Sequence, residues 1–443
     1  MRSFLFTNYN MNKITQVICL QIILILMMPN GQVFAQPDDT WVAYSHTIAV
    51  NQYQGHRFRL QALVKTQLDD DSAAAHLWTR VDNGRRMGFF NNMEHQPIRN
   101  RDWRLYSISG SVDSGMLNLC FGAFCSYNGK FAFDDFKVQI EGEKGQWKTI
   151  FYDGFEKDKL VFYQGIQLRD LGKNPRFTAH IEKEKDGKYL FIEGRAVPNF
   201  GVNNKIGNFD AVNGIKLYYE IYGQGTPLLV LHGNGGSIAS ASPFYPDLMK
   251  NYKVIAVDSR GQGRSGDTEE ALTYEQMASD MNELLNQLQF DSVLIYGHSD
   301  GAIIGLIMAK NYPQKVKKVL AFSANMQPDS LALFPWFLNF IKPRADSSKE
   351  GKLLRLMLDY PNISYAELSK IKAPVLIMSG DRDMVRPEHT LKLFQNIPHS
   401  QLSILPGSTH SAPWEKKEIF LDLLNQFFIQ PFQTPDTHDR FKG

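Results

Sequence analysis

Cysteine is scarce in this sequence, with three in 443 residues at positions 19, 120 and 125. None has a His/Cys cluster nearby with ligand spacing, so no metal site is expected. Cys120 and Cys125 lie in a segment, Met116 to Cys125, that reads as one strand. Five extended residues separate them by about 16 Å, beyond the roughly 7 Å that a disulfide bridges. Buried free thiols are the expectation. Net charge is small as well: 48 Lys+Arg against 46 Asp+Glu leave +2. With no dense basic run interleaved with aromatics, nucleic acid is not an expected partner. Long apolar runs are also missing. The stretch Ile14–Met28 falls short of the roughly 20 residues of a spanning helix, which argues against stable membrane insertion.

That stretch follows Arg2 and Lys13 and is broken by Pro29 and Gly31 ahead of Val33-Phe34-Ala35. The pattern is that of a signal peptide over residues 1–35, with cleavage near Ala35 and a periplasmic or extracellular destination. Cys19 lacks the small residues expected just before a lipidated cysteine. The rest, with 43% hydrophobic and 21% charged residues, has the composition of globular protein and the length of two domains.

Residues 37–192 are rich in period-two segments, such as His56–Val64, Ala75–Val81 and Trp103–Ile108, bounded by Asp, Asn and Gly clusters. They predict an all-β sandwich. The strand Leu77-Trp78-x-Arg80-Val81-Asp82, Asn92-Met93, Asp102-Trp103-x-x-Tyr106 and Phe131-Ala132-Phe133-Asp134-Asp135-Phe136 make Gly55–Ile140 resemble galactose-binding-like jelly rolls. The resemblance implies carbohydrate as a possible partner, with Trp78 and Trp103 as either sugar platforms or core residues. Residues 147–192 either complete this sandwich or open a second copy. Residues 193–208 have little apolar periodicity and read as a linker.

After the linker, short buried runs at Leu228–Leu231, Val254–Val257, Val293–Tyr296, Val319–Phe322, Val375–Met378 and Leu402–Leu405 predict a mostly parallel sheet with helices on both faces. Thr273-x-x-Gln276 reads as a capping box opening a helix whose face is Met277, Met281, Leu284, Leu285 and Leu288.

Gly297-His298-Ser299-Asp300-Gly301 sits between a buried strand and an Ala/Ile-rich helix, the strand-turn-helix context of a nucleophile elbow. A serine hydroxyl needs a base and an orienting carboxylate. Asp383 follows the strand ending at Met378, and His410 follows the strand ending at Leu405, giving the order Ser, Asp, His. Together with Leu231-His232-Gly233-Asn234-Gly235-Gly236 and Asp258-x-Arg260-Gly261-x-Gly263-x-Ser265, these motifs make residues 209–431 resemble α/β-hydrolase fold proteins.

The resemblance implies Ser299 as nucleophile, His410 as base and Asp383 as acid, ahead of its neighbour Asp381. His298, beside the nucleophile, reads as a packed residue. Backbone N–H groups of Asn234 and Asp300 would form the oxyanion hole, with Gly233 and Gly235 leaving room for substrate. Residues 325–371 would form a lid, with Phe334, Trp336 and Phe337 as candidate substrate contacts, its apolar residues being divided between lining a pocket and packing the lid onto the core. Residues 432–443 form a tail. No cofactor is implied. The expected activity is hydrolysis of a small-molecule ester or similar acyl bond. A small-peptide or proline iminopeptidase-like hydrolase is the alternative, and a carbohydrate-binding or surface-interaction protein with an inactive hydrolase domain is the alternative of another class.

Overall fold

The computed structural model describes residues 40–84, 86–142, 145–156, 176–185 and 187–435; the expected signal segment 1–35 and tail residues 436–443 lie outside them. The chain divides between Asn204 and Lys205 into two compact units.

The first unit is built of β1 (Trp41–Ala49), β2 (Arg57–Leu68), β3 (Ala74–Asp82), β4 (Met87–Asn91), β5 (Arg104–Ser111), β6 (Asn118–Ser126), β7 (Gly129–Glu141), β8 (Trp147–Asp153), β9 (Phe177–Glu184) and β10 (Gly187–Gly194). One antiparallel sheet has the order β1-β6-β3-β4, and the other β5-β2-β7-β10-β9 with β8 also on β7. Alternation is the cause: Phe58, Leu60, Ala62 and Val64 of β2 turn inward to meet Leu77 and Val81 of β3 and Phe121 of β6 in one core. Both Cys120 and Cys125 are free and buried in β6.

One edge of β7 is shared end to end. β10 pairs with Gly129–Phe133 and β8 with Phe136–Glu141, and Asp135 stands between them at φ +51°. Among the described residues of 147–192, β8, β9 and β10 therefore extend the same sheet. Trp103 lies half-buried on this sheet, its indole N–H donating to Glu184 at 3.2 Å and Lys65 Nζ 4.7 Å above its ring.

The stretch read as a linker, 193–208, is shorter and better anchored than its composition suggested. Gly194 ends β10, and the Asn128 amide brackets Val197, accepting from its N–H at 2.7 Å and donating to its carbonyl at 2.9 Å. Ser72 donates to the Val202 carbonyl at 2.6 Å. Side chains sixty or more positions away hold this backbone, and no local pattern announces them.

The second unit contains β11 (Gly207–Val212), β12 (Ile215–Tyr222), β13 (Thr226–Leu231), β14 (Tyr252–Val257), β15 (Val293–His298), β16 (Val316–Phe322), β17 (Val375–Gly380) and β18 (Ser400–Leu405). Its helices are α1 (Tyr245–Leu248), α2 (Tyr274–Gln287), α3 (Asp300–Asn311), α4 (Pro335–Ile341), α5 (Lys349–Asp359), α6 (Tyr365–Leu368), α7 (Pro387–Asn396), α8 (Ala412–Glu415) and α9 (Lys417–Ile429). The sheet order is β11-β12-β14-β13-β15-β16-β17-β18. The β11–β12 hairpin and the β12–β14 pair are antiparallel and the remaining pairs parallel.

The six buried runs became β13 to β18, while the β11–β12 hairpin has no such run and was not foreseen. Thr273 caps α2, its hydroxyl accepting from the Gln276 N–H at 3.2 Å, a contact worth about 1 kcal/mol. α3 is buried from Asp300 through Ala309, which explains why its sequence shows almost no polar face. The chain leaves β13 toward β14 on one side and returns through β15 on the other. Loops diverge at such a reversal and open a crevice at the carboxyl ends of the strands, after Leu231 and His298. Among the described residues no helix is long and apolar enough to cross a membrane.

Candidate active site

Ser299 stands between β15 and α3 with φ 54° and ψ −117°, a backbone state costing on the order of 1–3 kcal/mol for a residue with a side chain. Two glycines make the turn fit. A Cβ on Gly297 would lie 2.2 Å from the Gly301 carbonyl oxygen, and one on Gly301 2.2 Å from that of Leu231. The turn is held by the Ser299 N–H donating to the Phe322 carbonyl at 2.8 Å. Although Ser299 occupies the N-cap position of α3, its hydroxyl makes no capping bond.

Asp383 lies in the loop after β17, its side chain fully buried. One carboxylate oxygen accepts from His410 Nδ1 at 2.7 Å and from the Val385 N–H at 3.0 Å. The other accepts from the Ser323 hydroxyl. Burial alone would raise its pKa, but the attraction of His410 and these hydrogen bonds outweigh it and hold the carboxyl at about 2. The partner of His410 is thus Asp383. Asp381 has a different job: it accepts from the Ser408 N–H at 3.1 Å and ties the acid loop to the base loop. Gly380 lets these loops touch, since a Cβ there would lie 2.4 Å from the Ser408 and Thr409 carbonyls.

Beside Ser299, His298 Nε2 is 2.9 Å from the His410 carbonyl oxygen, and the two rings are 4.9 Å apart. The elbow and the base loop therefore meet directly.

The loop after β13 approaches the same point. A Cβ on Gly233 would sit 3.1 Å from Ser299 Cβ. His232 fixes this loop: the Ser259 N–H donates to its Nε2 at 3.0 Å, so the proton is on Nδ1, which donates to the Gly233 carbonyl at 2.8 Å. Gly235, at φ +67°, donates its N–H to Gln262 Oε1 at 2.6 Å. Asn234 Nδ2 donates to the Asp300 carboxylate at 3.0 Å and to the Leu353 carbonyl of α5 at 3.2 Å. The second Asp300 oxygen accepts from the Tyr274 hydroxyl at 2.9 Å. Burial lifts the Asp300 pKa to about 6, against the opposing pull of those two donors and of His410.

The segment between β16 and β17 contains α4, α5 and α6. Phe334 and Trp336 are exposed, whereas Phe337 is buried with Ile341 and Leu354 in a small cluster of the segment itself. The expectation that all three aromatics serve a substrate is corrected for Phe337, which is core of this segment. The segment's two ends converge on His389 of α7: the Met326 N–H donates to Nε2 at 3.0 Å, and Tyr365 Oη lies 2.8 Å from Nδ1. Ser323, Gln262, Tyr274 and His389 were not foreseen as parts of the site. Ser323 had one legible signal, a polar residue just after a buried strand neighbouring the elbow strand.

Residues 226–361 match the family model described as alpha/beta hydrolase fold. The mouse protein named serine hydrolase BPHL is 28% identical over 249 residues, covering 49% of this chain and 84% of that protein. A putative carbamate hydrolase RutD from Azorhizobium caulinodans is 36% identical over 103 residues, 23% of this chain and 39% of that protein. The solved enol-lactonase from Burkholderia xenovorans LB400 is 21% identical, with a TM-score of 0.45, across 50% of this chain and 100% of its own. The second unit has the alpha/beta hydrolase fold, and of the two curated relatives one is named a serine hydrolase and the other a putative carbamate hydrolase.

Proposed function

We propose that the second unit hydrolyses a carboxylic ester or related acyl bond through an acyl-Ser299 intermediate. The carrying observation is the buried 2.7 Å contact of His410 with Asp383, on a loop that the elbow of Ser299 touches. Ser299 Oγ attacks the carbonyl carbon while His410 Nε2 takes its proton; the resulting oxyanion is held by the N–H groups of Asn234 and Asp300. The C–O bond to the leaving group breaks as His410 returns the proton, and water then deacylates the serine by the same route. Asp383 keeps Nδ1 protonated and Nε2 free. In the test, a fluorophosphonate probe should label wild type and not Ser299→Ala; equal labelling of both would sink the reading.

A second reading, an aminoacyl ester or amide as substrate, is favoured by one observation. Asp300, the residue after the nucleophile, is a buried carboxylate whose side-chain donors are a tyrosine and an asparagine, both neutral. A substrate ammonium would complete it electrostatically. Comparing p-nitrophenyl esters of plain acids with aminoacyl esters and anilides decides between them, since a preference for aminoacyl substrates that Asp300→Asn abolishes would establish the second.

The reading extends to an exported protein, cleaved near Ala35, whose residues 325–371 act as a lid and whose first unit is a jelly-roll accessory domain for carbohydrate. Glycan-array binding by the full chain tests that last role, and an array without signal would remove it.

A further inference from the structure

His298 precedes the nucleophile and is not needed for the proton transfers above. Its surroundings nonetheless connect the elbow to the base loop and to the loop of Asn234. The ring packs edge-on to Trp414 at 4.9 Å and is stacked with Phe322 at 5.8 Å. A Cβ on Gly233 would lie 3.2 Å from its Nδ1, so this nitrogen borders the loop of Asn234. Its Nε2 lies 2.9 Å from the main-chain carbonyl of His410. A carbonyl oxygen can only accept, so Nε2 must carry the proton and Nδ1 the lone pair.

We infer that His298 is a positioning residue for the base: its Nε2–H grips the His410 main chain, and its ring backs the His410 ring so that the imidazole stays between Asp383 and Ser299. The inference rests on the acyl-Ser299 reading. The geometry explains why an imidazole suits the place. A long aliphatic side chain would fill the space among Phe322, Trp414 and Gly233 but offer no donor, whereas a lysine would bring a fixed positive charge beside the base and lower its basicity. The titratable groups whose charges reach His298 are His410, Asp383 and His232; burial, then His410, depress it to about 3, and it stays neutral wherever His410 works as a base.

The experiment compares His298→Leu and His298→Gln with wild type in steady-state ester hydrolysis and in fluorophosphonate labelling. The glutamine amide reaches about as far as imidazole Nε2 and keeps a donor. The leucine variant is expected to lose about 100-fold in kcat, the order of effect of misplacing a reacting group by an ångström, with KM changed less than about threefold. The glutamine variant is expected within about fivefold of wild type. Leucine at full rate, or a folded glutamine variant as impaired as leucine, overturns the inference while leaving Ser299 in place. If the leucine variant does not fold, by its circular dichroism, the glutamine variant alone decides: near-wild-type rate supports the hydrogen bond and a folded, 100-fold slower enzyme rejects it. Failure of wild type to label overturns the acyl-serine reading and this inference with it.

Discussion

The elbow and the segment between β16 and β17 are built on different plans. Around Ser299 main chain touches main chain, with glycines 297, 301 and 380 at positions where any Cβ would overlap a carbonyl. The inserted segment is instead held at its edges, by the Leu331–Val385 bridge with the Ala332 N–H donating to the Met384 carbonyl at 2.7 Å and the Arg386 N–H to that of Ser330 at 2.9 Å, and leaves Phe334 and Trp336 more than half exposed. Atoms that must meet within tenths of an ångström are thus fixed by direct backbone packing, while the segment between β16 and β17 keeps two large aromatics free of such packing.

The strongest way to break this contrast is at the acid. Asp383→Asn keeps the volume but removes the charge that orients His410, and kcat is expected to fall about 10³- to 10⁴-fold, as steady-state kinetics would show. Next in size is Gly301→Ala. Its methyl group would have to displace the Leu231 carbonyl, and we expect a loss of at least about 3 kcal/mol in urea unfolding; wild-type stability would refute the claim that backbone contact sets the elbow.

Asp300 sharpens the comparison through pH. Its folded pKa, about 6, is raised above the ordinary 3.8, so the buried carboxylate costs stability above that pKa and the cost fades as pH falls through 6 toward 4. Any gain in melting temperature of Asp300→Asn over wild type should therefore be larger at pH 8 than at pH 5. A gain independent of pH would show that burial of the charge is not its source. The smallest effect belongs to the segment: Trp336→Ala should change stability by less than about 0.5 kcal/mol, and any kinetic change should fall on KM in preference to kcat.

The sequence disclosed the elbow and all six parallel strands because each is a local pattern, a glycine spacing or an apolar run, whereas the choice of Asp383 over Asp381 came from the family resemblance. What it concealed depends on distance along the chain. Ser323 meets Asp383 across 60 positions and Tyr274 meets Asp300 across 26, and nothing beside either residue in the sequence names its partner. Phe337 was misread for a related reason: apolar composition cannot separate a wall facing a ligand from a small core, and only burial against Ile341 and Leu354 distinguishes them. The β11–β12 hairpin escaped because β11 is mostly exposed and Lys216 and Glu220 interrupt β12, so neither strand offers a run of four aliphatic residues. In residues 195–202 the absence of periodicity was real, but Asn128 and Ser72 supply the order that the segment's own residues do not.

The meeting of Met326 and Tyr365 at one imidazole, His389, joins the start and the end of the inserted stretch through a single ring of α7. His389 thus acts as a clasp: removing that ring would take a bond from both ends of the segment at once.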